Sequence, residues 1–285
     1  MVNGEYLALK SALEWHLDAG ADAALGTEAV GLIRSVEAMM ADLAALSPES
    51  VKSSPAMAHM PPPVEHPPLG TAEARAEALA LATSANNAEE LRAAIAAFDG
   101  ISLKGTATNL VFADGPSTAP VMLIGDAPGA EDDRSGRAFA GPHGLLLDQI
   151  LKTAGIGRGD DAATHIYMSN ILNWRPPGGR SPLPAELEIS LPFIERHIQL
   201  VRPRLLILCG GVAAKTLLGR AESISKLRGR LHDYIPQTPE WQAGATPIPA
   251  LAVLDPATLV QNPVQKRQIW ADMLMILEKK SQLGL

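Results

Sequence analysis

From residue 101 onward the chain alternates short apolar runs with amphipathic stretches. The runs PVMLIG (120–125), HIYMSN (165–170), RLLILCG (204–210) and PALAVL (249–254) predict four strands. Each run is apolar at successive positions, the pattern of strands buried on both faces. Between and after them the spacing predicts helices over about 142–154, 184–201, 211–218 and 263–280. Such an alternation predicts an α/β fold, a three-layer α/β/α arrangement with a mostly parallel, about four-stranded central sheet. In open sheets of this kind ligands bind beyond the carboxyl ends of the strands. Three of these ends are polar: Asp126, Asn170 and Asp255.

The first hundred residues follow a different pattern. Residues 1–46 read as two Ala- and Leu-rich amphipathic helices, an N-terminal helical extension. Residues 47–70 are dense in Pro and Ser and read as a linker. A third Ala-rich helix is expected over about 72–97, stopped near Gly100. The α/β domain is therefore expected over 71–285.

Composition narrows the class. No apolar stretch approaches the roughly 18 residues of a membrane span. The N-terminal stretch carries acids and lacks a basic leader, so no signal peptide is expected and the expected compartment is cytoplasmic. A single cysteine, Cys209, excludes an internal disulfide or a multi-cysteine metal site. The net charge of −7 argues against a nucleic-acid partner only until it is divided along the chain. Residues 1–100 carry 5 basic and 14 acidic side chains, whereas 101–285 carry 19 and 17. The α/β region is thus slightly basic, which permits DNA binding.

The segments at the strand ends carry chemistry in a specific order. GDAPGAEDDRSGRAFAG (125–141) follows the first strand, NILNWRPPGGRSP (170–182) the second, and PRLLILCGGVAAKTLLG (203–219) holds the third strand and its helix. KLRGRLH (226–232) and LAVLDPATLVQNPVQKRQIWADM (251–273) complete the series. Together these resemble the family 4 uracil-DNA glycosylases over about 98–280. That family has a Gly-Glu-Ala/Gly-Pro-Gly turn, an Asn followed by Cys-Arg-Pro-Pro, a Leu-Arg-Gly turn and a His-Pro-Ala/Ser-x-Leu motif.

The resemblance implies removal of uracil from DNA by hydrolysis of its N-glycosidic bond. The base must be swung out of the stack into a pocket. A carboxylate can then orient water and stabilise a cation-like sugar, an aromatic ring can stack on the base, and an Asn amide can read its edge. By position, Asp126 would hold the water, Phe139 would stack, Asn170 would read the N3–H and O4 edge, and Ala127 would line the uracil pocket. Asp132 falls at another acidic position of the same turn. Leu259 would wedge into the gap left by the flipped nucleotide. Arg175, Arg180, Arg228, Arg230 and Lys266 are candidates for phosphate contacts. The implied partner is uracil-containing DNA, single- or double-stranded, with a monomer as the expected state.

The departures from the family are equally specific. The four cysteines that hold the family's iron–sulfur cluster fall on Phe98, Ile101, Trp174 and Ser190, none of them a thiolate ligand, so no cofactor and no metal are expected. Apolar packing would replace the cluster. The family's His in the His-Pro motif is Asp255, which places a carboxylate where a donor toward uracil O2 would stand. Loss of one such donor elsewhere costs on the order of 10²–10³ in rate. Asp126 is one methylene shorter than the usual Glu. His143, in GPHG, is a candidate replacement donor. Two functions follow: a glycosylase with weakened activity, or a non-catalytic binder of uracil-containing or single-stranded DNA on the same scaffold. A phosphate-binding nucleotide site is disfavoured by the acids of GDAPGAEDD.

Overall fold

The computed structural model describes residues 70–158 and 165–285. The expected helices of 1–46 and most of the 47–70 linker lie outside the described residues.

In chain order the elements are helices α1 (Thr71–Ser84) and α2 (Ala88–Ala97), strand β1 (Val121–Gly125), helices α3 (Ala130–Ser135) and α4 (Pro142–Thr153), and strand β2 (Ile166–Asn170). There follow α5 (Pro184–Val201), β3 (Leu205–Cys209), α6 (Gly211–Leu218), α7 (Ile224–Leu227), β4 (Leu231–Tyr234), β5 (Ile248–Val253), α8 (Pro256–Gln261) and α9 (Lys266–Gln282). The sheet order is β2-β1-β3-β5-β4. The first four are parallel, and β4 pairs antiparallel with β5 at the edge.

The period-two geometry of the strands sorts the core into two layers. Met122, Ile124, Leu206, Leu208, Ala250 and Ala252 face one side, where Ala74, Ala78, Leu91, Ile95, Ile194 and Ile198 of α1, α2 and α5 cover them. Val121, Leu123, Leu205, Ile207, Leu251 and Val253 face the other side, covered by Leu147 and Leu151 of α4 and Met273 and Ile276 of α9. This is the three-layer α/β/α arrangement read from the apolar runs.

Two readings are corrected. The sheet has five strands rather than four, because β4 is short and largely exposed, with no apolar run to mark it. The helix expected over 72–97 is two helices, the second ending at Ala97 where the expected one stopped. Asn87 breaks the run: its side chain accepts a 2.9 Å bond from the Glu90 amide and starts a new helix. No described helix is long and apolar enough to cross a membrane.

Candidate active site

Strand register places the polar ends side by side. Gly125 is paired with Asn170 on β2 and with Cys209 on β3, and Cys209 with Val253 on β5. Asn170, Asp126, Gly210 and Asp255 therefore stand in a row across the carboxyl edge. Chain order reverses at β1, sending β2 to one side and β3 to the other, which opens the usual crevice. Asp126 and Asp255 are separated by two strand spacings, roughly 10 Å at the backbone.

Asp126 turns onto the N-terminus of α6. Its Oδ1 accepts a 2.6 Å bond from the Ala213 amide and its Oδ2 a 3.3 Å bond from Val212. A side chain at Gly210 would start 2.6 Å from Asp126 Oδ1, so bare backbone is required there. Burial raises the Asp126 carboxyl from 3.8 to about 6; the Ala213 and Val212 amides oppose this, and the charge of Asp255 reinforces it. Because the folded protein holds this proton more tightly than the unfolded chain, ionisation as pH rises toward 6 works against the fold. At neutral pH the site keeps a charge at some expense of stability.

Asn170 is buried, 2% exposed, and among the described residues its Nδ2 has no hydrogen-bond partner. The Asn170 amide and the Phe139 ring both approach the bare Cα of Gly125. A Cβ there would lie 2.5 Å from Asn170 Oδ1 and 2.6 Å from Phe139 Cζ. Phe139 has φ +55°, in the left-handed region that costs a side-chain-bearing residue roughly 1–2 kcal/mol. Ala127 packs against the core beside this turn.

The acids of the turn act as staples. Asp132 accepts from the Gly129 amide at 3.0 Å and the Ala140 amide at 2.7 Å, tying the start of α3 to the residue after Phe139. Asp133 accepts from the Thr108 and Asn109 amides. Asp255 caps α8, its Oδ1 accepting a 2.7 Å bond from the Ala257 amide. Cys209 lies buried beneath this edge, its thiol pushed well up by burial and then by Asp255 and Asp126.

The remaining expected residues divide. Arg180 is held by Glu186 through both its terminal nitrogens, and Arg228 by the buried Asp272 at 2.8 and 3.1 Å. Arg230 is half exposed, 3.6 Å from Glu222. Lys266, at the start of α9, and His143, in the first turn of α4, are exposed. Arg175 is partly buried, its Nε without a partner among the described residues. Leu259 lies within α8. Sequence reasoning missed the bare glycines 125 and 210 and the stapling role of Asp132 and Asp133. A glycine directly before a strand-end acid is the signal by which the first could have been found.

Phe98, Ile101, Trp174 and Ser190 come together. With Ile95, Asn173 and Phe193 they enclose a residual cavity of only about 10 Å³. The Phe98 and Phe193 rings meet edge to face, 5.3 Å between centroids. Three large apolar side chains and one hydroxyl, with no thiolate, do not fit an iron–sulfur cluster. Among the described residues no group of His, Cys, Asp or Glu is placed to hold a metal ion.

These strand ends and turns are those of a known class. The family description "Uracil DNA glycosylase superfamily" matches residues 112–274, more than half of the chain, and the chain belongs to that superfamily. It is 29% identical over 171 residues to a type-4 uracil-DNA glycosylase of Pyrobaculum aerophilum, across 59% of this chain and 81% of that protein. It is 28% identical over 180 residues to the type-4 enzyme of Archaeoglobus fulgidus, across 62% and 84%. Against the Thermotoga maritima type-4 enzyme it is 33% identical over 129 residues, across 45% and 65%. The resemblance to family 4 read from the motifs is thus borne out.

Removing the Asp255 charge while keeping its cap gives a direct test of the coupling between the two acids. Asp255→Asn retains a capping side chain, so α8 should persist. Burial still raises the Asp126 carboxyl, but the like charge that adds to this is gone, so Asp126 should ionise at a somewhat lower pH. If ionised Asp126 drives a reaction, its rate falls as pH drops through about 6 in the wild type. The acid limb of the pH–rate profile should shift downward in Asp255→Asn. An unchanged limb would show that the two carboxylates do not sense one another.

Proposed function

We propose that this chain removes uracil from DNA by hydrolysing the N-glycosidic bond of a flipped deoxyuridine. The observation that carries this reading is the unpartnered Nδ2 of buried Asn170, whose Oδ1 lies with the Phe139 ring against the bare backbone at Gly125. A buried donor without an acceptor is expensive, and it marks a place where a ligand supplies one. Uracil does so: its O4 accepts from Nδ2 while its N3–H donates to Oδ1. Cytosine presents a donor at position 4 and would set donor against donor.

Asp126 stands one residue beyond Gly125. An ionised carboxylate offers about four acceptor positions, of which the Val212 and Ala213 amides take two. The others remain for a water and for the positive charge that grows on the sugar. Its preorganised bonds to the start of α6 fix its direction, so little reorganisation accompanies the reaction. The uracil anion leaves toward the side of Asp255, which supplies no positive charge there. Slow excision is the expected consequence.

DNA grip falls to the basic side chains around the edge. Arg230, Lys266 and Arg175 are the better placed. Arg180 and Arg228 would have to share the carboxylates that hold them. The type-4 names of the relatives support the same substrate class, DNA containing uracil.

The test is single-turnover excision from uracil-containing single-stranded and U:G duplex oligonucleotides by wild type and Asn170→Ala. Wild-type release of uracil that falls by about 10²–10³-fold in the variant is expected, since the loss of a base-edge hydrogen-bond pair is worth several kcal/mol. Tight binding of these oligonucleotides with no release would instead establish the non-catalytic reading. For that reading the specific support is Asp255, which caps a helix where a leaving-group donor would serve.

A further inference from the structure

We propose that Arg158 is a positioning residue that sets the base-stacking ring of Phe139, acting through the backbone carbonyls of Ala138 and Phe139. The inference rests on the reading of Phe139 as the stacking ring.

Phe139 holds a left-handed backbone that a bulky side chain leaves unless its neighbours prevent it. Relaxation would rotate φ by more than a right angle and carry the ring away from Gly125. One guanidinium spans the peptide concerned. Arg158 Nη2 donates to the Phe139 carbonyl at 2.7 Å and Nη1 to the Ala138 carbonyl at 3.1 Å. On the far side the next amide, Ala140, is held by Asp132. Gly144 completes the clamp, since any Cβ there would run into the Phe139 carbonyl.

Arg158 is itself fixed. Its Nε donates to Asp148 of α4 at 2.8 Å, and Nη1 also reaches Asp114. Asp114 takes a second bond from Arg137 at 3.1 Å. Its backbone pairs with Met168, donating and accepting at 2.8 Å. Met168 lies on β2, two residues before Asn170. Ring and amide are therefore referenced to one strand, which keeps the stacking face and the reading edge in register. With two carboxylates on it and only 18% of its side chain exposed, Arg158 is spent inward and is not available to phosphate.

The test pairs kinetics with a spectroscopic reading of Phe139. The chain has four phenylalanines, so uniform 4-fluorophenylalanine labelling gives four fluorine resonances, and Phe139→Leu assigns the one that matters. In Arg158→Ala and in Arg158→Lys, which keeps the charge but loses the fork, the Phe139 resonance should move or broaden while the other three stay. Excision should fall 10–100-fold in kcat with KM for the oligonucleotide unchanged. On a Phe139→Ala background the same Arg158→Ala change should cost nothing further, because the two act as a unit.

An unmoved Phe139 resonance, or equal kinetic losses with and without Phe139, would overturn the proposal. So would movement of all four resonances in both variants, which would make Arg158 a general prop of the domain. A wild type that neither binds nor excises uracil would end the proposed function, and the fluorine reading would still decide the clamp.

Discussion

Asp126→Ala is expected to lower single-turnover uracil excision by about 10²–10⁴-fold, the range for loss of a positioned catalytic carboxylate. Affinity for the oligonucleotide should be unchanged, because the side chains proposed to grip phosphate are others. The side chain also serves the fold, accepting from the Val212 and Ala213 amides at the start of α6. Truncation therefore leaves two helix-start amides without an acceptor, a loss of about 0.5–2 kcal/mol. Asp126→Asn separates the two contributions. Its amide oxygen can still accept from Ala213, but it carries no charge to steady the sugar or activate water. Both variants should lose excision, and only Asp126→Ala should lose the full cap. Excision that survives in Asp126→Asn would mean that the carboxylate is a helix cap and nothing more.

Asp255→His is expected to raise excision on the order of 10²-fold, the worth of one donor to a leaving anion. Two changes act in the same direction. In the proposed reaction an acid beside the departing uracil is removed, and an imidazole able to donate toward O2 is supplied. Two changes oppose it more weakly. The cap on the Ala257 amide is lost, at about 0.5–2 kcal/mol of stability. Asp126, raised mainly by burial, also loses the neighbouring charge that added to the rise, which lowers its basicity slightly. Comparing single-turnover rates of Asp255→His with Asp255→Asn isolates the donor from the relief of charge. A histidine variant no faster than the asparagine variant would show that the leaving base does not reach this position.

Much of the architecture was legible from local pattern. The helices over Pro184–Val201 and Gly211–Leu218 fall where apolar spacing put them, and four strands match their apolar runs within a residue or two. These elements declare themselves because burial on one stripe or on both faces imposes a period. β4 did not, since an edge strand with one buried residue imposes none. The break between α1 and α2 was visible in retrospect as the Asn86–Asn87 pair, whose side chains bond the backbone inside an otherwise helical run, Asn87 accepting from the Glu90 amide and Asn86 donating to the Ser84 carbonyl.

The candidate site divides along the same line. Asp126, Asn170 and Phe139 could be named because each sits at a fixed offset from a strand end within a recognisable motif. Their partners could not. That Asp126 faces the start of α6, 86 residues on, depends on which strand lies beside β1. That Asp255 caps α8 is local, and Asp-Pro-Ala is a readable helix start, yet its influence on Asp126 is set by the spacing of β1, β3 and β5.

By itself the sequence determined the layers, the mostly parallel character of the sheet, the superfamily, and the loss of thiolates at the four cluster positions. Those follow from periodicity and from residue identity, which are properties of the linear chain. Tertiary structure decided the convergence of Phe98, Ile101, Trp174 and Ser190 into one nearly filled space, the unpartnered amide of Asn170, the rise of the Asp126 carboxyl, and the clamp of Arg158 on Phe139. Each of these is a relation between groups far apart in the chain. Burial, hydrogen bonding and charge act across a few ångströms of space, and only the folded sheet brings those groups within that reach.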